Sequence, residues 1–290
     1  MNTSEKQTVV SPLLPEKERV AALSGCYVYG VASGNTYGKL GAIGLENENV
    51  FTVPYRDIVA IVHQCSNKPY ESDSDVTVHG WVRNHQKVLD AARERFGTII
   101  PMKFDTILGS PKNLTVPEQI VKDWLKDEYG RLCTLIKKFR GKDEYVVQIW
   151  YEPGVVIKRI SEESNEVKRI KDEMSTKTPG TAYLYQQKLG VALRTEIDRL
   201  ADRWFKDIFE RVTRHIDDVL VDQIKKQRGN KAMLLNLSCL VAKDRVAALG
   251  EELQQINNEE GFSVHFSGPW PPYSFVIRVM PLSRGAKDAT

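Results

Sequence analysis

The sequence predicts an α+β protein of two domains, the second a modified ferredoxin-like α/β sandwich with a long inserted helix. Three observations carry this expectation. The chain has 290 residues, and at about 150 residues per domain that length divides into two units, each large enough to bury a core. Its hydrophobic share is 41% and its charged share 27%, ordinary globular usage that fits neither a disordered chain nor a fibrous repeat. Strand-like runs alternate with amphipathic helical stretches on both sides of a charged break, Arg140-Gly-Lys-Asp-Glu144, which reads as the hinge between domains.

The expected organisation is a flexible arm over residues 1–24, a first domain over 25–141, a second over 142–282 and a tail over 283–290, the arm being polar and broken by Pro12 and Pro15. Cys26-Tyr-Val-Tyr-Gly-Val31 is a β-branched and aromatic run bounded by glycines, and Asp57-Ile-Val-Ala-Ile-Val62 is apolar almost throughout, as a central strand covered on both faces is. Asp75 or Thr77 then caps a helix whose inward stripe is Val78, Trp81, Val82, His85, Leu89, Ala92 and Phe96, and Gly97 ends it. Thr98 to Phe104 reads as a strand pushed to a sheet edge by Pro101. Thr115-Val-Pro-Glu118 has capping-box spacing and launches a second helix that stops at Gly141.

Beyond the hinge, Tyr145 to Tyr151 is a strand ended by Glu152-Pro-Gly154, and Val155 to Met174 is polar and moderately helical up to the break at Thr178-Pro-Gly180. From Ala182 to Arg228 the apolar positions Leu189, Leu193, Ile197, Leu200, Trp204, Ile208, Val212, Ile216, Val219 and Ile224 step at near-helical intervals. One helix of that length approaches roughly 70 Å, so it must bend, break or project past its own sheet. Met233 to Val241 alternates as a strand, Asp244 caps a helix bearing Leu249 and Leu253, and Phe262 to Phe266 returns as a strand. The order β-α-α-β-α-β is the ferredoxin-like pattern with an added helix. Gly268-Pro-Trp-Pro-Pro-Tyr273 reads as a rigid, aromatic-packed turn that admits a cis proline, followed by a last extended segment from Ser274 to Met280.

The chemistry the residues exclude is as informative. No apolar stretch reaches the roughly 18–20 residues of a membrane span, and the N-terminus lacks a basic start and apolar block, so no membrane and a cytoplasmic location are expected. A formal charge of +3 without basic clustering argues against nucleic acid, since Lys225-Lys226-Gln-Arg228 reads as the end of a helix. Cys26, Cys65, Cys133 and Cys239 form no C-x-x-C pair and fit reduced core thiols; neither a metal nor a cofactor is expected. His63 and Cys65 share a strand face, yet a buried structural pair is favoured over a catalytic dyad, and His85 reads as a hydrogen-bonded core residue. Glu162-Glu163 and Asp217-Asp218 read as solvated faces of helices. Gly30, Gly34, Gly38, Gly41 and Gly44 invite an alternative, an enzyme binding a phosphate ligand through residues 30–44. The P-loop pattern fails there, with Ser33 in place of its first glycine and Leu40 after Lys39, and no helix pattern follows.

Ser267-Gly-Pro-Trp-Pro-Pro-Tyr-Ser-Phe-Val276 resembles the C-terminal signature of the gas vesicle protein family GvpL/GvpF. Tyr27-Val-Tyr-Gly30 and Asp57 to Val62 are similar to the family's first two strands, His85 to Leu89 and Ile100-Pro-Met-Lys-Phe104 to its helix and following strand, and Leu235 to Val241 with Lys243-Asp-Arg-Val246 to the elements before the signature. Asp105 stands where the family usually has glycine. The resemblance implies two α+β domains and a non-enzymatic accessory or minor structural role in vesicle nucleation and assembly. Its implied partners are the small hydrophobic shell protein GvpA and other accessory gas vesicle proteins. Gly268, Pro269, Trp270, Pro271, Pro272, Tyr273 and Phe275 are the signature residues, expected to be structural. A sheet edge at Pro101 or the long helix would offer a partner a strand ladder or a groove.

Overall fold

The computed structural model describes residues 24–109, 116–224 and 229–279, so the expected arm, the tail, Thr115 and the Lys225–Arg228 run lie outside the described residues, apart from Ser24. The chain divides into two compact units, one ending at Arg140 and the other beginning at Gly141.

The first unit is built on β1 (Gly25–Ser33), β2 (Lys39–Gly41), β3 (Val50–Tyr55), β4 (Ile58–Cys65), β5 (Ile99–Pro101) and β6 (Ile107–Gly109). The sheet runs β2-β3-β4-β1-β5, with β6 also on β1 and each pair antiparallel. Eight of the nine residues of β1 are buried, as in a strand covered on both faces. Helix α1 (Asp75–Phe96) packs on β1 and β5, and α2 (Pro117–Phe139) packs across β1, β3, β4, β5 and β6. The cap of α1 is Ser74, whose hydroxyl accepts from Thr77 N, one residue before the earlier of the expected positions. That of α2 is Val116, which offers no side chain to the orphan amides, so the capping box is not formed. Strand β3 escaped the sequence reading because Pro54 argues against a strand; it is tolerated with β2 covering only the other half of β3. The Pro101 strand does end the sheet, but its three residues are all buried.

The second unit contains β7 (Lys142–Tyr151), α3 (Pro153–Glu163), α4 (Asn165–Ser175), α5 (Pro179–Thr213), β8 (Asp218–Val221), β9 (Ala232–Ala242), α6 (Val246–Asn258), β10 (Phe262–Trp270) and α7 (Tyr273–Val279). Its sheet runs β10-β7-β9-β8, every neighbour antiparallel. Several expectations are corrected here. Lys142, Asp143 and Glu144 belong to β7 and are no hinge, with Asp143 and Glu144 buried. The long helix ends at Thr213, and Val219 lies in β8, where it packs on the sheet core. Arg245, not Asp244, caps α6. The segment after the proline-rich run is the helix α7 in place of an extended strand, and the run itself is divided: Gly268–Trp270 end β10, Pro271 and Pro272 connect, and Tyr273 opens α7.

The 35 residues of α5 span about 50 Å at 1.5 Å each, longer than the sheet it packs on. Its C-terminal half lays Trp204, Phe205, Ile208, Phe209 and Val212 on the sheet core with Leu235, Leu237 and Leu253. Its N-terminal half projects and is partnered by α3 and α4, where Val156, Ile160, Val167, Ile170 and Ala192 form a separate small core. Arg211 fastens α5 to α6, with Nε donating to Glu252 at 2.7 Å and a terminal nitrogen to Glu259 at 2.8 Å.

Candidate functional site

The signature residues converge on one place, the C-terminal end of the second sheet's edge strand β10. Strand β10 pairs regularly with β7 through Ser267, bulges at Gly268 and Pro269, and rejoins it where Trp270 faces Glu144. The Gly268–Pro269 peptide is cis. Gly268 has φ +139, and a β-carbon there would lie 2.7 Å from the Tyr145 ring and 2.9 Å from the Glu144 carbonyl oxygen, so the bulge admits only glycine. Tyr145 in turn stacks on Phe266, ring centroids 5.2 Å apart. Pro271, Pro272 and Phe275 are buried while Trp270 is 43% exposed.

Glu144 holds the far end of the signature. Its carboxylate accepts from Ser274 N at 2.9 Å and from the Ser274 hydroxyl at 2.6 Å, tying the first turn of α7 to β7. Burial raises the Glu144 pKa; the two Ser274 bonds work the other way, and the charge of Asp222 adds to the rise. The signature is legible in the sequence but this seat is not, because a run of charges near a glycine reads as solvent-exposed.

The first unit holds a buried polar network that the sequence reading saw only in pieces. Tyr27 and Tyr29 alternate on β1 and so share a face, and Tyr27 stands opposite His63 of β4. The Tyr29 hydroxyl accepts from Leu45 N at 3.0 Å and lies 2.9 Å from His63 Nδ1; His63 Nε2 lies 3.0 Å from the Tyr70 hydroxyl. The Leu45 amide leaves the phenol proton of Tyr29 available to Nδ1, and whichever ring nitrogen carries the proton, both face a tyrosine hydroxyl able to donate or accept. Asp105 closes the network: its carboxylate accepts from Tyr70 N at 3.0 Å, and its own amide donates to the Tyr27 hydroxyl at 3.0 Å. Tyr27 also lies 2.8 Å from His85 Nδ1. Burial pushes both histidines down to about 4, the Met102 backbone partly offsetting this at His85, so both rings are neutral near pH 7.

This geometry decides the dyad question. Both ring nitrogens of His63 are engaged by tyrosines, leaving no base for Cys65, whose thiol burial pushes up to about 12, far from a reactive thiolate. Of the five glycines in this stretch, Gly30, Gly34, Gly38 and Gly44 are packed against protein atoms while Gly41 is open; a β-carbon at Gly44 would lie 2.8 Å from both the Glu48 carbonyl oxygen and the Tyr29 hydroxyl. Glu162 and Glu163 end α3, with Glu163 paired to Arg159 at 3.0 Å. The Asp217-Asp218 pair is not on a helix: Asp217 precedes β8, pairs with Lys142 at 3.0 Å and accepts from Ala242 N. Among the described residues no group of three or more His, Cys, Asp or Glu side chains is placed to hold a metal ion, and no helix is long and apolar enough to cross a membrane.

Comparison with known proteins places these features in context. A family model described as gas vesicle synthesis protein GvpL/GvpF matches residues 25–277. The chain is 26% identical to gas vesicle protein L of Haloferax mediterranei over 80% of this chain and 72% of that protein. It is also 26% identical to gas vesicle protein L1 of Halobacterium salinarum, over 90% of this chain and 95% of that protein. The crystal structure of gas vesicle protein GvpF from Anabaena sp. PCC7120 superposes with a TM-score of 0.68 at 17% identity, covering 87% of this chain and 98% of that one. This last likeness shows the mixed helix-and-sheet fold.

Proposed function

Since the chain belongs to the gas vesicle synthesis protein GvpL/GvpF family, we propose that it is a non-enzymatic accessory or minor structural protein of the gas vesicle. It binds the shell protein GvpA and other accessory gas vesicle proteins in the cytoplasm during vesicle nucleation and assembly. The observation that carries this reading is the continuous family match over residues 25–277, which takes in both units and ends on the signature. The placement of the chemistry-bearing residues supports it. Both ring nitrogens of His63 are engaged by tyrosines, Cys65 and His85 are buried, and Gly30, Gly34, Gly38 and Gly44 lie against protein atoms, so no observation favours a phosphate-binding enzyme.

The second unit is read as a modified ferredoxin-like domain, a reading supported by the strand order β10-β7-β9-β8 and by helices α5 and α6 on one face. The signature is read as structural, since its conformation is dictated by Glu144 and Tyr145. The projecting half of α5 is the surface offered to an apolar partner, because Tyr183, Leu184 and Val191 remain 60–68% exposed there. Strand β5, short and buried, leaves no ladder for strand addition at Pro101. Deleting the gene in the native host and examining cells by electron microscopy tests the role: absent or misshapen vesicles are expected, and normal vesicles in normal number contradict it. Co-purification tests the partners, with GvpA retained by the tagged wild-type chain and released by L184D/V191D.

A further inference from the structure

Beside the buried tyrosine–histidine network the first unit opens a surface pocket of about 330 Å³. Its floor is aromatic: Tyr70 and the nearly buried Trp81 meet edge to face with ring centroids 5.3 Å apart, and Cys65 lies beside them. Its rim carries Glu46, Glu48 and Glu71 against the single cation Lys68, all exposed. None of these three carboxylates is engaged in a hydrogen bond or ion pair among the described residues, so the rim keeps a net negative charge facing an aromatic floor. The field reaches that floor: burial raises the Tyr70 pKa first, and the carboxylates of Glu46, Glu48 and Asp105 raise it further.

We propose that this pocket receives an arginine side chain presented by a partner protein. An aromatic face attracts a cation laid over it, and carboxylates around it supply the hydrogen-bond acceptors. Arginine fits better than lysine, because its planar guanidinium can stack on an aromatic face and pair with carboxylates through two parallel bonds at once. The volume lies at the low end of ligand sites, enough for one extended side chain and too small for a folded cofactor. The floor is held rigid from behind, since the Tyr70 hydroxyl is bonded to His63 and its amide to Asp105. A pocket that is preformed in this way loses little entropy on accepting a side chain.

The test uses the full chain labelled with 5-fluorotryptophan, whose 5 tryptophans give separate fluorine resonances. The Trp81 signal is assigned by elimination after replacing the other four by phenylalanine one at a time. Titration with Nα-acetyl-arginine amide should shift the Trp81 resonance saturably and leave the others in place, while the neutral citrulline analogue should not. The E46Q/E48Q/E71Q variant should weaken the titration at least tenfold with the remaining resonances unmoved, and E71Q alone should weaken it about threefold if the triple variant does not fold. An unmoved Trp81 signal, an equal response to citrulline, or an unchanged titration in the glutamine variants overturns the site. Tighter saturation by free agmatine than by an arginine-bearing pentapeptide overturns the partner-chain source in favour of a small cation.

Discussion

Asp105 sits at φ +66, in the left-handed region that residues with a β-carbon rarely enter. The family resemblance marks this position as one where glycine is usual, and the backbone explains why. Aspartate is among the few other residues that tolerate it, and here its carboxylate gains the Tyr70 amide as a donor. Asp105→Ala keeps the unfavourable conformation and loses the bond, so it should cost about 2 kcal/mol. Asp105→Asn should be near neutral and Asp105→Gly intermediate, because glycine relieves the backbone but forfeits the acceptor. Urea denaturation of the three variants measures this order, and an alanine variant as stable as the wild type would contradict it. The sequence exposed the anomaly without its reason, since φ is not written in one residue's identity. His63 and His85 were legible as core histidines from strand and helix periodicity. Their tyrosine partners were not, because Tyr27, Tyr29 and Tyr70 come together only through strand register and a long loop.

Elements governed by periodicity were the legible ones: β1, β4, α1, α2, β9 and α6 follow their apolar stripes closely. Two failures have a common cause. The apolar steps of α5 continue through Ile216 and Val219 because the strand β8 buries residues against the same core that the helix does, so the pattern does not break where the helix does. Conversely, Asp143 and Glu144 read as a hinge because charged residues are seldom buried, yet they lie inside β7. Glu144 is there to hold α7, a helix of 7 residues that is too short to be stable alone. Glu144→Ala leaves the Ser274 amide and hydroxyl without their acceptor, a loss of about 1–3 kcal/mol confined to that element. Amide hydrogen exchange at Ser274–Val276 should then accelerate roughly tenfold or more while β7 and β9 keep their protection. Ser274→Ala, which keeps the amide bond to Glu144, should give a smaller acceleration. Equal exchange in all three proteins would mean that burial of Phe275 alone holds the helix.

Across the whole molecule the two units bury ionisable groups of opposite sense, and acid should therefore pull their stabilities apart. In the first unit His63 and His85 are pushed down to about 4 from an ordinary 6.5. Between those values the unfolded chain binds protons that the folded unit refuses, so stability is full above pH 6.5 and falls as the pH drops toward 4. At about 1.4 kcal/mol per tenfold change in proton affinity, the loss approaches roughly 3 kcal/mol for each histidine. In the second unit the Glu144 pKa is raised by burial, so the folded state holds a proton that the unfolded chain releases above about 4.5. Its share of stability improves as the pH falls through the raised value toward that point. Each unit has its own core and its own tryptophans, Trp81 and Trp124 in the first and Trp150, Trp204 and Trp270 in the second. Urea titrations of the fluorotryptophan-labelled chain at pH 7.5 and 5 can therefore follow them separately. The midpoint read by Trp81 and Trp124 should drop sharply at pH 5 while that read by Trp150 and Trp204 holds or drops much less, and His85→Gln should reduce the difference. Midpoints that fall together by the same amount would mean that the two units unfold as one, or that the buried histidines find protons without opening the first sheet.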